Sequence, residues 1–245
     1  MTGLRLLAAV RGRDRQNLPP QFPYGTIWRV EKLNTRLLAS FLGAAMVTTW
    51  ASIALTATIP SAAAEPCSDV EVIFARGTGE APGVGGNGQL FVDTLRAQAG
   101  GKSVSVYAVN YPASQDYANS VAAGAGDASA HVQSTAANCP NTRMVLGGYS
   151  QGAAVVDLAT TSMPADVADN VAAAAEFGGA RSAFADSLSP GPLPSVGPLY
   201  TAKTIEMCVP NDPICYQGGS DMRAHGAYVQ TGMVNEAAVF AASRV

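Results

Sequence analysis

A serine lies between two glycines in the pentapeptide Gly148-Tyr149-Ser150-Gln151-Gly152, which fits the pattern G-x-S-x-G. An apolar strand-like run precedes the pentapeptide and an apolar helical run follows it, as the pattern requires. A tight turn from strand to helix holds such a serine hydroxyl exposed, and flanking glycines avoid clashes between the two elements. The alternative is an ordinary turn with the serine as a helix N-cap. The context favours a nucleophilic Ser150.

A serine hydroxyl needs a base to take its proton, and histidine is the side chain best suited to this near neutral pH. The chain has two histidines, His131 and His225. In α/β-hydrolases the order along the chain is serine, then acid, then histidine. Only His225 follows Ser150, so we predict that it is the base. His131 lies within a helical pattern and is predicted to be a packed or solvent-facing helical residue.

The acid that orients the base must lie between Ser150 and His225. The carboxylates in this interval are Asp157, Asp166, Asp169, Glu176, Asp186, Glu206, Asp212 and Asp221. Asp212 is the leading candidate because it lies in the loop Cys208–Cys215, which two cysteines can close, and a rigid loop suits this role. Asn211-Asp212-Pro213 is also typical of a simple turn. Spacing alone does not exclude the other carboxylates as the acid that orients His225.

Four cysteines, Cys67, Cys139, Cys208 and Cys215, allow three pairings. Cys208 and Cys215 are close enough to form a short loop, which leaves Cys67 to pair with Cys139. On a chain-entropy estimate the short bridge contributes roughly 2 to 3 kcal/mol of stability and the long bridge about 4 kcal/mol. The alternative is a metal site, but the chain has no C-x-x-C pair and no ligand cluster near His131. We therefore expect no metal.

The candidate residues are positioned by an alternation of strands and helices. Apolar runs predict strands over Asp69–Ala75, Val104–Val109, Arg143–Gly148, Val171–Phe177 and, more weakly, Thr201–Met207. Helices are predicted over Gln89–Ala99, Asn119–Asn138, Gln151–Ser162 and Gly226–Ser243. This alternation indicates a parallel sheet with helices on both faces. Two Gly/Pro-rich loops, Gly77–Gly88 and Ser187–Pro198, are expected to contribute to the site, because loops at strand carboxyl ends build sites in such sheets.

Composition limits the partners that this chain can have. Its 245 residues are 48% hydrophobic and suit a single domain with a buried core. Up to Arg36 there are seven basic and two acidic side chains, whereas from Glu65 onward there are eight basic and sixteen acidic ones. The second part has no basic patch, so nucleic acid is not an expected partner.

The N-terminal part is typical of a secretory signal. No charged residue occurs from Leu37 to Ala64, and this stretch follows Arg36 and ends in Ala62-Ala63-Ala64. We predict that residues 1–64 form an extension and signal outside the fold, and that residues 65–245 form the domain of an exported protein. The alternative is a membrane anchor, because the stretch from Leu37 to Ile59 could span a bilayer. The small residues at its end favour cleavage over a permanent anchor.

Four segments together resemble the cutinase family, in particular the cutinase-like proteins of actinobacteria. They are Phe74–Glu80 (FARGTGE), Tyr107–Pro112 (YAVNYP), Gly147–Gly152 (GGYSQG) and Cys208–Cys215 (CVPNDPIC), and His225 follows Asp212 by thirteen residues. The resemblance covers nearly the whole chain from Pro66 onward. It implies a small α/β-hydrolase with a five-stranded parallel sheet between helices, and it selects Asp212 as the acid of a Ser150, His225 and Asp212 triad.

The resemblance also implies the surroundings of the triad. The backbone N–H groups of Thr78 and Gln151 would form the oxyanion hole, with Thr78 in place of the serine of the fungal enzymes. The implied disulfides, first cysteine with second and third with fourth, agree with the pairing above. The loop from Ala180 to Pro198 has no clear counterpart in the fungal enzymes, which leaves the preferred acyl chain open.

The implied function is a secreted serine esterase that hydrolyses short- to medium-chain acyl esters, lipid or cutin-like, without a cofactor and as a monomer. Two alternatives remain at this point. One is acyl transfer to a cell-envelope acceptor by the same triad. The other is a secreted surface protein that has the fold but does not catalyse; an intact triad argues against it.

Overall fold

Five parallel strands form the centre of the fold in the computed structural model, which describes residues 67–188 and 193–245. The strands are β1 (Val70–Ala75), β2 (Val104–Ala108), β3 (Arg143–Tyr149), β4 (Val171–Phe177) and β5 (Thr204–Met207). Their order in the sheet is β2-β1-β3-β4-β5, and every neighbouring pair is parallel. This confirms the predicted five-stranded α/β fold. The predicted extension and signal over residues 1–64 lie outside the described residues.

Helices connect the strands. They are α1 (Gly85–Gln98), α2 (Tyr117–Asn138), α3 (Gln151–Ser162), α4 (Ala183–Ser187), α5 (Met222–His225) and α6 (Met233–Ala242), with 3₁₀ turns at Ala165–Asn170 and Thr201–Lys203. The first helix begins four residues before the predicted start at Gln89. The last helix begins at Met233 and not at Gly226, because Gly232 has a φ of 79° that an α-helix does not accommodate. The short helix α4, which sequence patterns did not predict, is capped by the Ser182 hydroxyl.

The core consists of two apolar layers, one on each face of the sheet. Successive side chains of a strand point to opposite faces. On β1, Ile73 and Ala75 therefore pack with α2 and α3, whereas Val72 and Phe74 pack with α1 and α6. Burial on both faces explains why the strands read as continuous apolar runs.

The site lies where the sheet order changes direction. Strands β1 and β3 are neighbours, but the helix after β1 packs on one face and the helix after β3 packs on the other. The loops at the carboxyl ends of these two strands diverge and leave a crevice, the usual ligand position in open parallel sheets. The segment around Thr78 follows β1, and Ser150 follows β3.

Two disulfides close loops of very different length. Cys67 is bonded to Cys139, 72 residues away, and Cys208 is bonded to Cys215, seven residues away. These are the two bridges predicted from the sequence. The shorter bridge encloses Asp212 and ties the ends of its loop together.

Within residues 67–188 and 193–245, no helix combines the length and the apolar character needed to cross a bilayer.

Candidate active site

Ser150 occupies a strained turn between β3 and α3. Its backbone has φ 55° and ψ −117°, a conformation that L-residues rarely adopt and that costs on the order of 1–3 kcal/mol. Neighbouring backbone groups hold it there: the Ser150 N–H donates to the Phe177 carbonyl at 2.8 Å, and the Ser150 carbonyl accepts from the Ala153 N–H at 2.9 Å. The turn directs the hydroxyl into a cleft instead of into the core.

Gly152 lets the nucleophile turn approach the end of β1. A Cβ atom at this position would lie 2.0 Å from the carbonyl oxygen of Ala75, closer than any side chain allows. The second glycine of the G-x-S-x-G pattern is therefore required by packing, as expected from the sequence.

The predicted nucleophile, base and acid lie in one hydrogen-bonded line. His225 Nε2 is 2.8 Å from Ser150 Oγ, and His225 Nδ1 is 2.8 Å from Asp212 Oδ2. Asp212 is fully buried and His225 is 7% exposed, so bulk water competes little for these bonds. The geometry suits proton transfer from the serine hydroxyl to an imidazole whose other nitrogen is held by a carboxylate.

Three donors stabilise the ionised form of Asp212. Besides His225, the Tyr228 hydroxyl donates to Oδ2 at 2.5 Å and the Ile214 N–H donates to Oδ1 at 2.8 Å. Burial raises the pKa of the Asp212 carboxyl, but the hydrogen bonds from His225, Tyr228 and Ile214 outweigh burial and hold it below the usual value. The acid therefore stays charged over the pH range in which an imidazole is neutral.

Two tyrosines that the sequence analysis did not identify hold the base and the acid. The Tyr149 hydroxyl donates to the His225 carbonyl at 2.8 Å, and the two rings stack with centroids 5.2 Å apart. Burial, with smaller contributions from the charges of Glu80 and Asp212, raises the pKa of Tyr149 to about 12, so its hydroxyl remains a donor. Tyr228 is fully buried and bonds to Asp212 Oδ2, whereas Ile214 bonds to Oδ1, so both carboxylate oxygens are held.

The loop that carries Thr78 is tied at both ends by charged side chains. The Arg76 guanidinium donates to the carbonyls of Glu80 and Tyr111, both at 2.8 Å. The Glu80 carboxylate accepts from the Gly77 N–H at 2.6 Å and from the Gly86 N–H, in the first turn of α1, at 3.0 Å. No described residue accepts a hydrogen bond from the Thr78 N–H, which leaves that group available to an oxyanion.

The second predicted oxyanion donor, the Gln151 N–H, is the first backbone donor of α3. Such N–H groups at a helix start have no partner within the helix, and the helix dipole favours negative charge there. The Gln151 side chain is buried and is held by the Ser120 hydroxyl at 2.8 Å and the Ser114 carbonyl at 2.9 Å. The side chain thus anchors the residue while its N–H stays beside Ser150.

Glu80→Gln is expected to lower kcat about tenfold to a hundredfold while KM changes little. The amide would present an NH₂ group to one of the two N–H donors, release that end of the loop and loosen the Thr78 N–H. This loss should be smaller than the 10²- to 10³-fold typical for deleting an oxyanion donor.

The measurement is steady-state hydrolysis of p-nitrophenyl acetate. Glu236→Gln on the exposed side of α6 is the matched control and should behave as wild type. A wild-type kcat in Glu80→Gln would show that Glu80 does not organise the loop.

The cleft above Ser150 has a volume of about 360 Å³ and is lined by both polar and apolar side chains. Thr78, Gln115 and His225 contribute to its lining together with Ser150. The apolar part of the lining, called here the apolar wall, consists of Ala180, Ala185, Leu188, Leu193, Ile214 and Met222, with the rings of Tyr117 and Tyr149. A cleft that combines a few polar groups with apolar side chains suits a ligand with one reactive polar centre and an apolar tail.

The other histidine and the other acids are not part of this line. His131 lies on α2, stacks on Tyr107 with ring centroids 3.5 Å apart, and has Nε2 3.0 Å from Glu71. Asp157, Glu176 and Glu206 form a separate cluster around Arg181. In the described part of the chain, no three His, Cys, Asp or Glu side chains group as metal ligands would.

Comparison with known proteins identifies one family. The family model for Cutinase matches residues 66–245. Carboxylesterase Culp1 of Mycobacterium tuberculosis is 54% identical to this chain over 214 residues, which cover 87% of this chain and 98% of that protein. Phospholipase Culp4 of the same organism is 42% identical over 238 residues, which cover 93% of this chain and all of that protein.

Solved structures give the same result. A Trichoderma reesei cutinase in complex with a phosphonate inhibitor is similar with a TM-score of 0.58 and 34% identity, over 73% of this chain and 77% of that chain. The catalytic core domain of acetyl xylan esterase from the same organism is similar with a TM-score of 0.62 and 26% identity, over 74% of this chain and all of that chain.

Proposed function

Because the chain belongs to the cutinase family of carboxylic ester hydrolases, we propose that Ser150, His225 and Asp212 are its catalytic triad. In this proposal the enzyme cleaves short- to medium-chain acyl esters through an acyl-enzyme intermediate. The observation that carries the proposal is the continuous line from the half-buried Ser150 hydroxyl, which lines the cleft, to the buried Asp212 carboxylate, with both hydrogen bonds at 2.8 Å.

Acyl transfer to the enzyme is the first half of the reaction. The Ser150 oxygen attacks the ester carbonyl carbon while His225 Nε2 takes the hydroxyl proton. Negative charge develops on the carbonyl oxygen, where the N–H groups of Thr78 and Gln151 donate to it. The bond to the alcohol then breaks, and His225 gives its proton to the departing oxygen.

Water completes the cycle. It attacks the acyl-enzyme carbonyl, His225 takes its proton, and the carboxylic acid leaves as Ser150 regains its hydrogen. Asp212 stays ionised throughout and stabilises the imidazolium that forms in each half. His225 must be neutral to accept a proton, so only the unprotonated imidazole supports either half of the reaction.

The apolar wall of the cleft supports an acyl group larger than acetyl. Leu188 and Met222 line the cleft, yet they are 50% and 56% exposed without a ligand. Large apolar side chains left open beside a reactive serine are positioned to cover an aliphatic chain, and each buried methylene contributes about 0.8 kcal/mol. The names carboxylesterase and phospholipase of two relatives are compatible with such a substrate.

The experiment that tests the function is hydrolysis of p-nitrophenyl esters from acetyl to palmitoyl by the purified protein. Turnover that peaks at a short or medium chain is the expected result. If the folded, disulfide-bonded protein releases no p-nitrophenol above background but transfers the acyl group when acceptor alcohols are added, acyl transfer replaces hydrolysis. No turnover under either condition contradicts an enzymatic function.

Truncation of the apolar wall should change chain-length preference selectively. In the double variant Leu188→Ala/Met222→Ala, kcat/KM for an octanoyl ester is expected to fall about threefold to tenfold, because part of the acyl chain stays in water. The value for the acetyl ester should stay within about twofold, since an acetyl group offers only one methyl group for these side chains to cover.

Leu199→Ala is the matched control for the double variant. Leu199 is 55% exposed but does not line the cleft, so this change should affect neither ester. Equal losses for the acetyl and octanoyl esters in the double variant would contradict an acyl-binding role for Leu188 and Met222.

The proposal includes export and a folded unit formed by residues 65–245. The apolar stretch after Arg36 with its small-residue end supports a cleaved signal, and two disulfides are typical of oxidising compartments. N-terminal sequencing of the protein recovered from culture medium tests this. A mature N-terminus near Glu65 is expected, whereas full-length chain retained in the membrane fraction would favour an anchor.

A further inference from the structure

A partly buried cluster of charges lies beside the acid loop and outside the line of the proposed triad. The Arg181 guanidinium meets three carboxylates from three elements: Asp157 on α3, Glu176 on β4 and Glu206 on β5. Its Nη1 and Nη2 atoms form a fork on Asp157 at 2.9 and 3.2 Å. Nη2 also donates to Glu176 at 2.8 Å, and Nε donates to Glu206 at 3.0 Å. This arrangement ties the segment after β4 to the helix that follows the nucleophile.

The cluster carries more acids than one guanidinium balances. Asp157 and Glu176 are 0% and 1% exposed, and Glu176 Oε1 has no hydrogen-bond partner among the described residues. Burial, together with the charge of Asp157, raises the pKa of Glu176 well above its usual value. A neutral Glu176 can donate a hydrogen bond to Asp157. Only Asp157 and Glu206 then remain as charged carboxylates around the guanidinium. Burial lowers the pKa of Arg181, but its bonds to the three acids raise it above the ordinary value, so Arg181 stays charged.

The backbone of Arg181 contacts the loop that holds the proposed catalytic acid. The N–H groups of Arg181 and Ser182 donate to the Ile214 carbonyl at 3.1 and 3.2 Å. The N–H of the same Ile214 donates to Asp212 Oδ1 at 2.8 Å. Ile214 therefore connects the anchored segment directly to the carboxylate that bonds to His225.

The rest of the segment from Gly178 to Ser182 supports the same loop. The Ser182 hydroxyl donates to the Pro213 carbonyl at 2.5 Å, and the Gln217 amide donates to the Arg181 carbonyl at 2.5 Å. Gly178 lies against the base: a Cβ atom there would be 2.8 Å from His225 Cε1. Displacement of this segment would therefore change the positions of both Asp212 and His225.

We propose that Arg181 is a positioning residue of the active site. Its guanidinium, anchored on Asp157, Glu176 and Glu206, holds the segment that supports Ile214 and thereby fixes Asp212 against His225. The inference rests on the proposed roles of Asp212 and His225. Misplacement of a reacting group by about 1 Å can cost on the order of a hundredfold in rate, so an anchor one residue removed from the acid has a measurable effect.

The cluster also predicts that activity falls as the pH rises through the pKa of Glu176. Because the pKa of Glu176 is raised, the folded state favours the neutral form of this side chain. The resulting contribution to stability is present at low pH and is lost as the pH rises through the pKa that Glu176 has in the folded protein. Above that value three carboxylates share one guanidinium and repel each other. Among the described residues, Tyr117 on α2 is the other titratable group that faces the cluster, and burial together with the charge of Asp157 raises its pKa to about 12, so it stays neutral.

Arg181→Lys tests the anchor. A lysine keeps the charge, but a single ammonium cannot bridge three carboxylates as the planar fork does. With a soluble short-chain p-nitrophenyl ester, kcat is expected to fall at least tenfold while KM stays within about threefold. Arg96→Lys, at an exposed ion pair on α1, is the matched control and should match wild type.

Glu176→Gln tests the protonation of the cluster. A glutamine resembles the neutral acid, because its amide oxygen can accept from Arg181 and its NH₂ can donate to Asp157. In wild type kcat is expected to fall as the pH rises through the pKa of Glu176, and this limb of the full kcat–pH profile is expected to be absent from the variant. This readout is independent of Arg181→Lys and decides the proposal if the lysine variant does not fold.

Amide hydrogen exchange reports positioning without turnover. In Arg181→Lys the Ile214 N–H should lose protection, while the Val145 N–H in the central strand β3 should retain it. Wild-type kcat and Ile214 protection in folded Arg181→Lys would overturn the proposal, and so would a kcat–pH profile of Glu176→Gln that is identical to that of wild type. Failure of the proposed function would give a different result. Neither wild type nor any variant would hydrolyse esters, yet the protection of the Ile214 N–H against exchange would still depend on Arg181.

Discussion

Ser150→Ala is expected to lower kcat for ester hydrolysis by at least about 10⁴-fold, the scale seen when the nucleophile of a triad is removed. His225 Nε2 bonds to Ser150 Oγ at 2.8 Å, and alanine leaves it no hydroxyl to deprotonate. The oxyanion donors and the cleft remain, so weak residual hydrolysis by water is the most that the variant should retain. The change removes one oxygen at the cleft surface and should leave the thermal midpoint nearly unchanged.

The measurement for Ser150→Ala is the rate of p-nitrophenyl butyrate hydrolysis at saturating substrate. Ser243→Ala, at an exposed position just after α6, is the matched control and should hydrolyse as wild type does. A Ser150→Ala variant that keeps more than about a tenth of the wild-type kcat would mean that another group attacks the ester.

Asp212→Asn is expected to lower kcat by about 10⁴-fold with little change in fold. The Ile214 N–H donates to Oδ1, so an asparagine keeps its carbonyl oxygen there and places its NH₂ at the Oδ2 position. That NH₂ would face His225 Nδ1, which then has to accept a hydrogen bond. The imidazole proton moves to Nε2, and an Nε2–H cannot take the proton of Ser150.

A second acid provides the control for the role of Asp212 in fixing the His225 tautomer. Asp166→Asn changes an exposed acid in the 3₁₀ turn before β4, one of the carboxylates that spacing left open, and it should leave kcat unchanged. If Asp212→Asn and Asp166→Asn have equal activity while both are folded, Asp212 does not orient the base.

The fold was largely predictable because its signals are local. Five apolar runs became the five strands, and the motif around Ser150 lies between β3 and α3 as its pattern requires. The predicted helix bounds were wrong where tertiary packing decides at which residue a helix begins. The last helix begins after Gly232, whose positive φ is not readable from a pattern that counts apolar residues.

The proposed catalytic residues could be predicted, but the groups that hold them could not. Ser150 and His225 were identified by residue type and order, and Asp212 required the family resemblance. Tyr149, Tyr228 and Arg181 act through contacts with residues up to 76 positions away in the chain, such as the bond from Tyr149 to the His225 carbonyl. Tyrosine and arginine have many structural roles, and nothing in a single sequence marks these three.

Covalent labelling tests whether Ser150 is the nucleophile. The purified protein is incubated with an alkyl p-nitrophenyl phosphonate, which reacts as an ester would but leaves a stable adduct, and the digest is analysed by mass spectrometry. We expect one adduct per chain, on Ser150, which forms in step with the loss of esterase activity and is absent from Ser150→Ala. Complete inactivation with the adduct on another residue, or full activity with Ser150 fully labelled, would contradict it.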